Sequence, residues 1–451
     1  MRKYEEYIDA GLPWYPYGIP SHWSLLRHKN VLTEHKELVG NKADDYTLLS
    51  LTLNGVIIRD ISEGKGKFAK EYDKYVVVNE GDFVFCLFDV EETPRTVGLS
   101  KHHGMITGAY DVFKPHGINP EFFYYYYLAL DNVKALKPLY SGLRKVIPYP
   151  SFMSIKVPVP PREEQDQIVR YLDWKVSSIN RLIHGYQRQI KLLKERKRTL
   201  VDEVVTKGLN HDVELKDSGV YWLGEIPDNW DLVRAKYLFK KEKREPLEND
   251  EVVTCFRDGE VTLRKNRRTT GFTESLQENG YQHVCKGDLV IHVMDAFAGA
   301  IGISDSDGKS TPVYHCCTPL RNDIYVPYYM YFLRMMAHVG YIQSLYRGIR
   351  ERSTNFTFDI FSVQMLTMPP IEEQKAIVAY IASQTKRINL LKDKISKQIN
   401  FLEEYRNRLI SDVVTGQVDV RGVVIPDYTP EEDNAAEEEM NDPEEVTENA
   451  D

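Results

Sequence analysis

No segment of this chain is apolar over the ~18 residues that a membrane-spanning helix requires, and the opening MRKYEEYIDAG sets acids where a secretory leader has its apolar core. Cysteine is scarce: Cys86, Cys255, Cys285, Cys316 and Cys317 form an odd set without CxxC spacing. That points away from a disulfide framework and from a zinc site, and toward reduced thiols in the cytoplasm. Motifs for chemistry are missing too. Gly308-Lys309-Ser310 resembles the end of a phosphate-binding loop, but Ile303 stands where its first glycine belongs. No GxGxxG occurs, nor the Asn-Pro-Pro-aromatic quartet that holds a flipped base for amino-methylation. Asn119-Pro120-Glu121-Phe122 comes nearest and lacks the second proline. Glu-x-Lys triplets such as Glu34–Lys36 and Glu63–Lys65 arise by chance in a chain that is 28% charged, and His102-His103 has no companion ligands. The expectation is a chain without a catalytic residue, a resident metal or a cofactor of its own.

What remains fits a soluble globular protein. The 451 residues are 42% hydrophobic and long enough for about three domains. The net charge of −9 is concentrated at one end, because Asp427–Asp451 holds twelve acids and no Lys or Arg. Over residues 1–426 there are 58 basic against 55 acidic side chains, so that body is mildly basic and compatible with nucleic acid. The tail has almost nothing to bury and should be disordered.

The chain repeats itself. GIPSHW at Gly18–Trp23 returns as EIPDNW at Glu225–Trp230, and YVVVNEGDFVF from Tyr75 as YQHVCKGDLVI from Tyr281. LYSGLRK from Leu139 returns as LYRGIRE from Leu345, and PPREEQDQIVRYL from Pro160 as PPIEEQKAIVAYI from Pro369. These offsets of 206 to 209 residues are far too long for a solenoid and mean duplication of a whole globular unit. The middles diverge: DISEGKGKFAKEYDK has no visible counterpart in FRDGEVTLRKNRRTTGF. Runs rich in Val, Ile, Tyr and Phe predict strands at Lys74–Val78, Asp82–Phe88, His283–Val284 and Asp288–Val293, with helices over Glu121–Leu130 and Tyr328–Met336. The units are therefore expected to be α+β.

Each PPxEEQ opens a helix, with prolines suited to a first turn and acids (Glu163 and Glu164, Glu372 and Glu373) against the positive end of the macrodipole. Apolar residues follow at Ile168, Leu172, Val176, Ile179, Ile183, Tyr186, Ile190, Leu193, Leu200 and Val204. The second copy has Ile377, Ile381, Ile388, Ile395, Ile399, Leu402, Leu409 and Val413, with Thr385 and Lys392 off the pattern and Arg406 at the level of Lys197. A 3.5-residue period held over about five heptads describes a coiled coil, each helix about 60 Å long. A single narrow seam needs a partner. The two seams pair most economically with each other, and antiparallel pairing accommodates a globular unit before each helix with pseudo-two-fold symmetry. Pairing with a second chain is the alternative. The boundaries expected are a first unit over 1–160, a helix over 161–207, a second unit over 208–369, a helix over 370–416, an extension over 417–426 and the acidic tail over 427–451.

A DNA-binding chain must neutralise phosphates with Lys and Arg and read base edges with Arg, Lys, Asn or Gln. The densest basic cluster outside the helices is Arg264, Lys265, Asn266, Arg267 and Arg268. Lys65 and Lys67 alternate with glycines in the first unit. Arg144 and Lys145 occupy the repeat position of Arg350 and Glu351, with Arg347 and Arg352 adjacent. The competing reading of each is a solvated charged face. PEFFYYYYLAL from Pro120 is expected to pack a helix and not to stack bases.

VPVPPREEQDQIVRYLD and LTMPPIEEQKAIVAYIA, each leading into a long helix that ends Val-Val-Thr, resemble the DNA-specificity subunits of type I restriction–modification systems. DSGVYWLGEIPDNW from Asp217 is similar to that family's approach to its second target-recognition domain, and DAGLPWYPYGIPSHW from Asp9 is a looser version. The resemblance spans residues 1–426. It implies two α+β target-recognition domains separated by an antiparallel coiled coil, each reading half of a split, asymmetric DNA sequence. The coiled coil would then fix the gap between the half-sites. It also implies no catalysis by this chain: two modification subunits carrying S-adenosylmethionine methylate adenine, and restriction subunits using ATP and Mg join through them. A coiled-coil scaffold that binds only proteins is the alternative. The acidic tail departs from the family pattern, and an inert tail is expected over one that competes with DNA.

Overall fold

The computed structural model describes residues 2–12, 14–15, 17–59, 72–141, 145–267, 279–345 and 355–431. Seven α-helices lie among them: α1 Pro120–Asn132, α2 Tyr149–Ser154, α3 Arg162–Lys207, α4 Val326–His338, α5 Tyr341–Ser344, α6 Phe358–Ser362 and α7 Ile371–Val414. None of them is long and apolar enough to cross a membrane. The chain forms two compact units, Met1–Arg188 with Ile395–Ala450 and Gln189–Lys394. Both long helices start and stop within two residues of the boundaries expected for them, but the division into units falls inside each helix instead of at its ends.

The units are built alike. In the first, a four-stranded antiparallel sheet runs in the order Leu32–Glu34, Asp111–Pro115, Phe83–Phe85, Val97–Leu99. In the second the order is Phe239–Lys241, Tyr314–Pro319, Leu289–His292, Ile301–Ile303. Strand side chains alternate between faces. Phe83 and Phe85 accordingly pack with α1 and α2, while Val84 turns to the opposite face with Val112. Leu289 and Ile291 pack with α4, and Val290 turns away. The aromatic run fills this core: Tyr126 and Tyr127 of α1 are buried, as are Tyr328 and Tyr329 of α4. Asn119, first residue of the Asn-Pro-Glu-Phe quartet, caps α1 by accepting from the backbone N–H of Glu121 (2.9 Å) and Phe122 (3.1 Å).

The repeated motifs meet each other, which explains their repetition. Glu164 is buried and accepts from the Tyr4 hydroxyl (2.6 Å), Trp23 Nε1 (3.0 Å) and His22 Nε2 (2.8 Å). Glu373 accepts from Trp230 Nε1 (3.0 Å). Gln165 donates to the Pro160 carbonyl (2.8 Å) and accepts from the Asn119 N–H (2.7 Å). Gln374 does the same with the Pro369 carbonyl (2.8 Å) and the Tyr325 N–H (2.8 Å). The second glutamate of each motif is thus an acceptor for the IPxxW tryptophan, buried at Glu164 and half-buried at Glu373, a role beyond the dipole effect read from its position. The glutamine ties the start of the long helix to the start of α1 or α4.

Within each unit, one end of α3 lies beside the opposite end of α7. In the first, Gln167 donates to the carbonyls of Val420 (3.1 Å) and Val423 (2.8 Å), and farther along α3 Asn180 accepts from Arg406 (2.7 Å). Rising α3 numbers meet falling numbers in and beyond α7, so the pairing is antiparallel and internal to the chain. In the second, Val204 and Val205 share a core with Ile377 and Ile381. The seam is not uniform. Ile168, Leu172, Ile179, Ile183, Ile377, Ile381, Ile388 and Leu409 are buried, whereas Ile190, Leu193, Leu200, Ile395, Ile399 and Leu402 are half-buried. Each fully buried aliphatic side chain contributes ~1.5–3 kcal/mol, so the hydrophobic stabilisation is concentrated where the helices also touch a globular unit.

Past α7 the chain turns at Gly416 and lies along α3. Arg181 donates to the Thr429 carbonyl (2.7 Å), while Glu431 accepts from Arg181 (3.3 Å) and pairs with His184 (2.9 Å). The boundary expected at Asp427 therefore falls inside a docked segment: residues 427–431 are placed against α3. Residues 432–451 lie outside the described residues.

Candidate nucleic-acid interface

Each sheet carries a β-hairpin on the face turned away from its helices. In the first unit Leu49–Thr52 pairs with Gly55–Ile58; in the second Val253–Cys255 pairs with Val261–Leu263. Leu51 faces Val56 and Cys255 faces Val261, so the second hairpin's loop is one residue longer. These hairpins are counterparts that no shared sequence motif marks, the first ending just before the divergent middle and the second running into it. Glycine marks the joint. A Cβ on Gly104 would meet the Thr47 carbonyl at 2.3 Å, and one on Gly308 the Glu251 carbonyl at 2.4 Å. Any side chain there would lift the hairpin off the sheet. Gly308-Lys309-Ser310 is a strand of this joint, paired with Gln282–Val284, and not a phosphate loop.

The second hairpin presents three of the expected DNA-binding cations on the turn that follows it, a 3₁₀ helix over Arg264–Asn266. Arg264 donates its Nε to Thr254 Oγ1 (3.4 Å), across the hairpin. Lys265 pairs with Glu251 (2.5 Å), both exposed. Arg267 contacts Asp258 (2.5 Å) and Glu260 (3.0 Å) and lies 4.2 Å from the centre of the Phe256 ring. This surface is mixed in charge. Exposed ion pairs contribute only ~0–1 kcal/mol, so Lys265 can exchange its carboxylate for a phosphate at little cost, whereas Arg267 is held from three sides and braces the loop. In the first unit Lys145 sits in a left-handed conformation (φ 48°) and pairs with Glu92 (2.6 Å), which raises the lysine's pKa. Beside it Lys137 pairs with Glu91. The structure does not bring Lys145 and the Arg264–Arg267 turn into one unit. Lys65, Lys67, Arg144, Arg268, Arg347, Arg350 and Arg352 lie outside the described residues.

Sequence reading missed three further features of these surfaces. Arg244 donates to Asp288 at 2.5 and 3.2 Å beside Glu242, an ion pair whose members lie 44 residues apart. Arg257 pairs with Asp295 (3.0 Å). In the first unit a concavity of about 350 Å³ is lined by His35, Lys36, Asn79, Asp82 and Lys114. No motif signals any of the three, because each is assembled across strands.

Residues 99–192 match the family model of the type I restriction modification DNA specificity domain. The chain is 24% identical over 372 residues to the type I restriction enzyme MjaVIII specificity subunit of Methanocaldococcus jannaschii, covering 79% of this chain and 84% of that protein. It is 24% identical over 277 residues to the putative type I restriction enzyme MjaX specificity subunit of the same organism, covering 59% and 60%. A solved structure concerning complex assembly and conformational transition of the type I R-M system shares the fold, with a TM-score of 0.60 at 14% identity over 89% of this chain and all of that one. In motif, repeat and fold, this chain is similar to the DNA-specificity subunits of type I restriction–modification systems.

Proposed function

We propose that the two units of this non-catalytic specificity subunit each read one half of a split, asymmetric DNA site. The chain works in complexes with DNA and with methyltransferase and restriction subunits. The observation that carries the bipartite reading is a shared joint under unlike surfaces. Gly104 and Gly308 seat equivalent hairpins, yet the second hairpin runs straight into Arg264, Lys265 and Arg267 while the first is followed by Arg59 and the Lys65–Lys67 segment. Phosphate contacts would supply affinity, and the loops that differ would supply sequence readout.

Two modification subunits would dock per chain, carrying S-adenosylmethionine, with ATP and Mg held by restriction subunits in the cytoplasm. Exposed apolar side chains recur at repeat-related positions on the long helices: Leu182 (54% exposed) with Leu391 (41%), and Leu192 (57%) with Phe401 (62%). Duplicated apolar positions suit two copies of one partner. Exchange of residues 215–369 for the equivalent unit of another specificity subunit tests the function. Base-resolution mapping of methylated adenine should show one half-site replaced and the other kept. Change in both half-sites would sink the modular reading, and no methylation dependence on this chain would leave a protein scaffold.

A further inference from the structure

We infer that the second unit holds a zinc-type divalent cation at the base of its hairpin, on His283, Cys285 and Asp307. The ligating atoms of these three side chains lie within 4.8 Å of one another. A tetrahedral zinc site spaces its N, S and O ligands by about 3.4–3.7 Å, so closure needs only small rotations, chiefly of the exposed Asp307. The donor set is chemically specific. A thiolate with an imidazole suits borderline-soft cations of the zinc class, whereas magnesium and calcium take oxygen ligands.

The surroundings prepare the site. His283 Nδ1 is paired with Asp250 Oδ2 at 2.7 Å, which fixes the ring and leaves Nε2 as the nitrogen that would ligate. Metal-bound histidines are oriented in this way by an outer carboxylate. Asp250 is nearly buried and is held in turn by the Leu247 N–H (2.8 Å). Asp307 accepts from the Lys286 N–H through Oδ1 (2.8 Å), leaving Oδ2 for the cation. Binding would release the Cys285 thiol proton to solvent as the sulfur–metal bond forms, and water would complete four-fold coordination.

The first unit supplies an internal control. Strand pairing sets Val284 opposite Gly308 and Val78 opposite Gly104, so His283, Cys285 and Asp307 correspond to Val77, Asn79 and His103. There Asn79 Oδ1 and His103 Nδ1 are joined directly, 3.1 Å apart, by a hydrogen bond. Position 77 cannot ligate. The same joint is closed by an amide in one unit and by a cation in the other. Its location gives it consequence: Asp250 and Asp307 flank the strands on which the hairpin sits, and Glu251, the partner of Lys265, is next in sequence.

The full chain titrated with Co²⁺ in place of Zn²⁺ tests this. One equivalent should bind with a thiolate-to-cobalt charge-transfer band. Cys285→Ser should abolish the band, because Cys86, Cys255, Cys316 and Cys317 are buried elsewhere. His283→Val, the residue of the other unit, should weaken binding at least tenfold, and Asp250→Asn by about 10- to 100-fold. A band that persists in Cys285→Ser, or a native chain that binds no cation at micromolar concentration, overturns the inference. Should Cys285→Ser not fold, alkylation of the native chain decides. Zn²⁺ should slow labelling of Cys285, and an unchanged rate overturns the site.

Discussion

In the first unit Glu164 gathers three donors, from Tyr4, His22 and Trp23; in the second, the equivalent Glu373 takes only the tryptophan among the described residues. Asn229 stands where the first unit has His22. Tyr4 comes from the N-terminal segment, and Arg421 of the C-terminal extension lies 4.8 Å over its ring. The joint between motif and helix is common to both copies, but among the described residues it is the first that also gathers Tyr4, with Arg421 from beyond α7 over the tyrosine ring. A buried acceptor with three donors is costly to delete, because each donor is left without water or partner. Glu164→Ala should therefore cost about 3–5 kcal/mol and Glu373→Ala about 1–2 kcal/mol. Calorimetric unfolding of the two variants measures the difference, and equal losses would show that the extra donors are solvated in both states.

A smaller asymmetry lies one strand away. His28 begins the turn that leads to the first sheet, and Ala235 occupies the same place in the second unit, each with its N–H on the chain ahead of a long helix. His28 is fully buried, bonded through Nδ1 to the Phe152 carbonyl (2.7 Å) and through Nε2 to Tyr127. Burial lowers its pKa from 6.5 to about 3. The folded chain keeps it neutral, so the unfolded chain takes up the proton first. Its contribution is complete above pH 6.5 and is lost as pH falls from there toward 3. At pH 5 the loss is about 2 kcal/mol. His28→Ala, which copies the second unit, should shrink the stability difference between pH 7 and pH 5 by about that amount in urea denaturation. An undiminished difference would move the acid sensitivity elsewhere; His315 and His338, both lowered to about 4 chiefly by burial, are the next groups in line.

How far the sequence carried this comparison depends on where the information is stored. Periodicity placed α3 and α7, because a 3.5-residue seam is a local pattern; none of the eighteen apolar seam residues named from it is exposed. The helices expected over Glu121–Leu130 and Tyr328–Met336 are α1 and α4. The partner of Glu164 was not legible, since Trp23 lies 141 residues away and nothing local marks a carboxylate as buried. The paired hairpins escaped notice because one loop is a residue longer and the shared signal is reduced to Gly104 and Gly308. Heptads fix that a helix has a partner, not which way the partner runs; the antiparallel direction was expected from the need to seat a globular unit before each helix, and the structure has it. Basic clusters were visible as composition, but the carboxylates Glu251, Asp258 and Glu260 that answer them are separated by turns.

The smallest expected effect distinguishes two lysines that look alike on paper. Lys265 and Lys145 each hold one exposed carboxylate, Glu251 at 2.5 Å and Glu92 at 2.6 Å. Both pairs are screened, so losing either should cost folding stability ~0–1 kcal/mol at most. On DNA, a lysine that exchanges its carboxylate for a phosphate releases one counterion. Lys265→Gln should thus reduce the salt slope of binding by about one and weaken affinity uniformly across sequences. Lys145 sits instead in a strained left-handed turn beside Lys137, Glu91 and Glu92, where four charges are already balanced. Lys145→Gln should leave the slope nearly unchanged. Fluorescence anisotropy of the assembled methyltransferase on its site, measured across a series of salt concentrations, reads both slopes. If Lys145→Gln lowers the slope and Lys265→Gln does not, the phosphate contact belongs to the first unit's turn, and the second hairpin's cations serve only to hold its loop in shape.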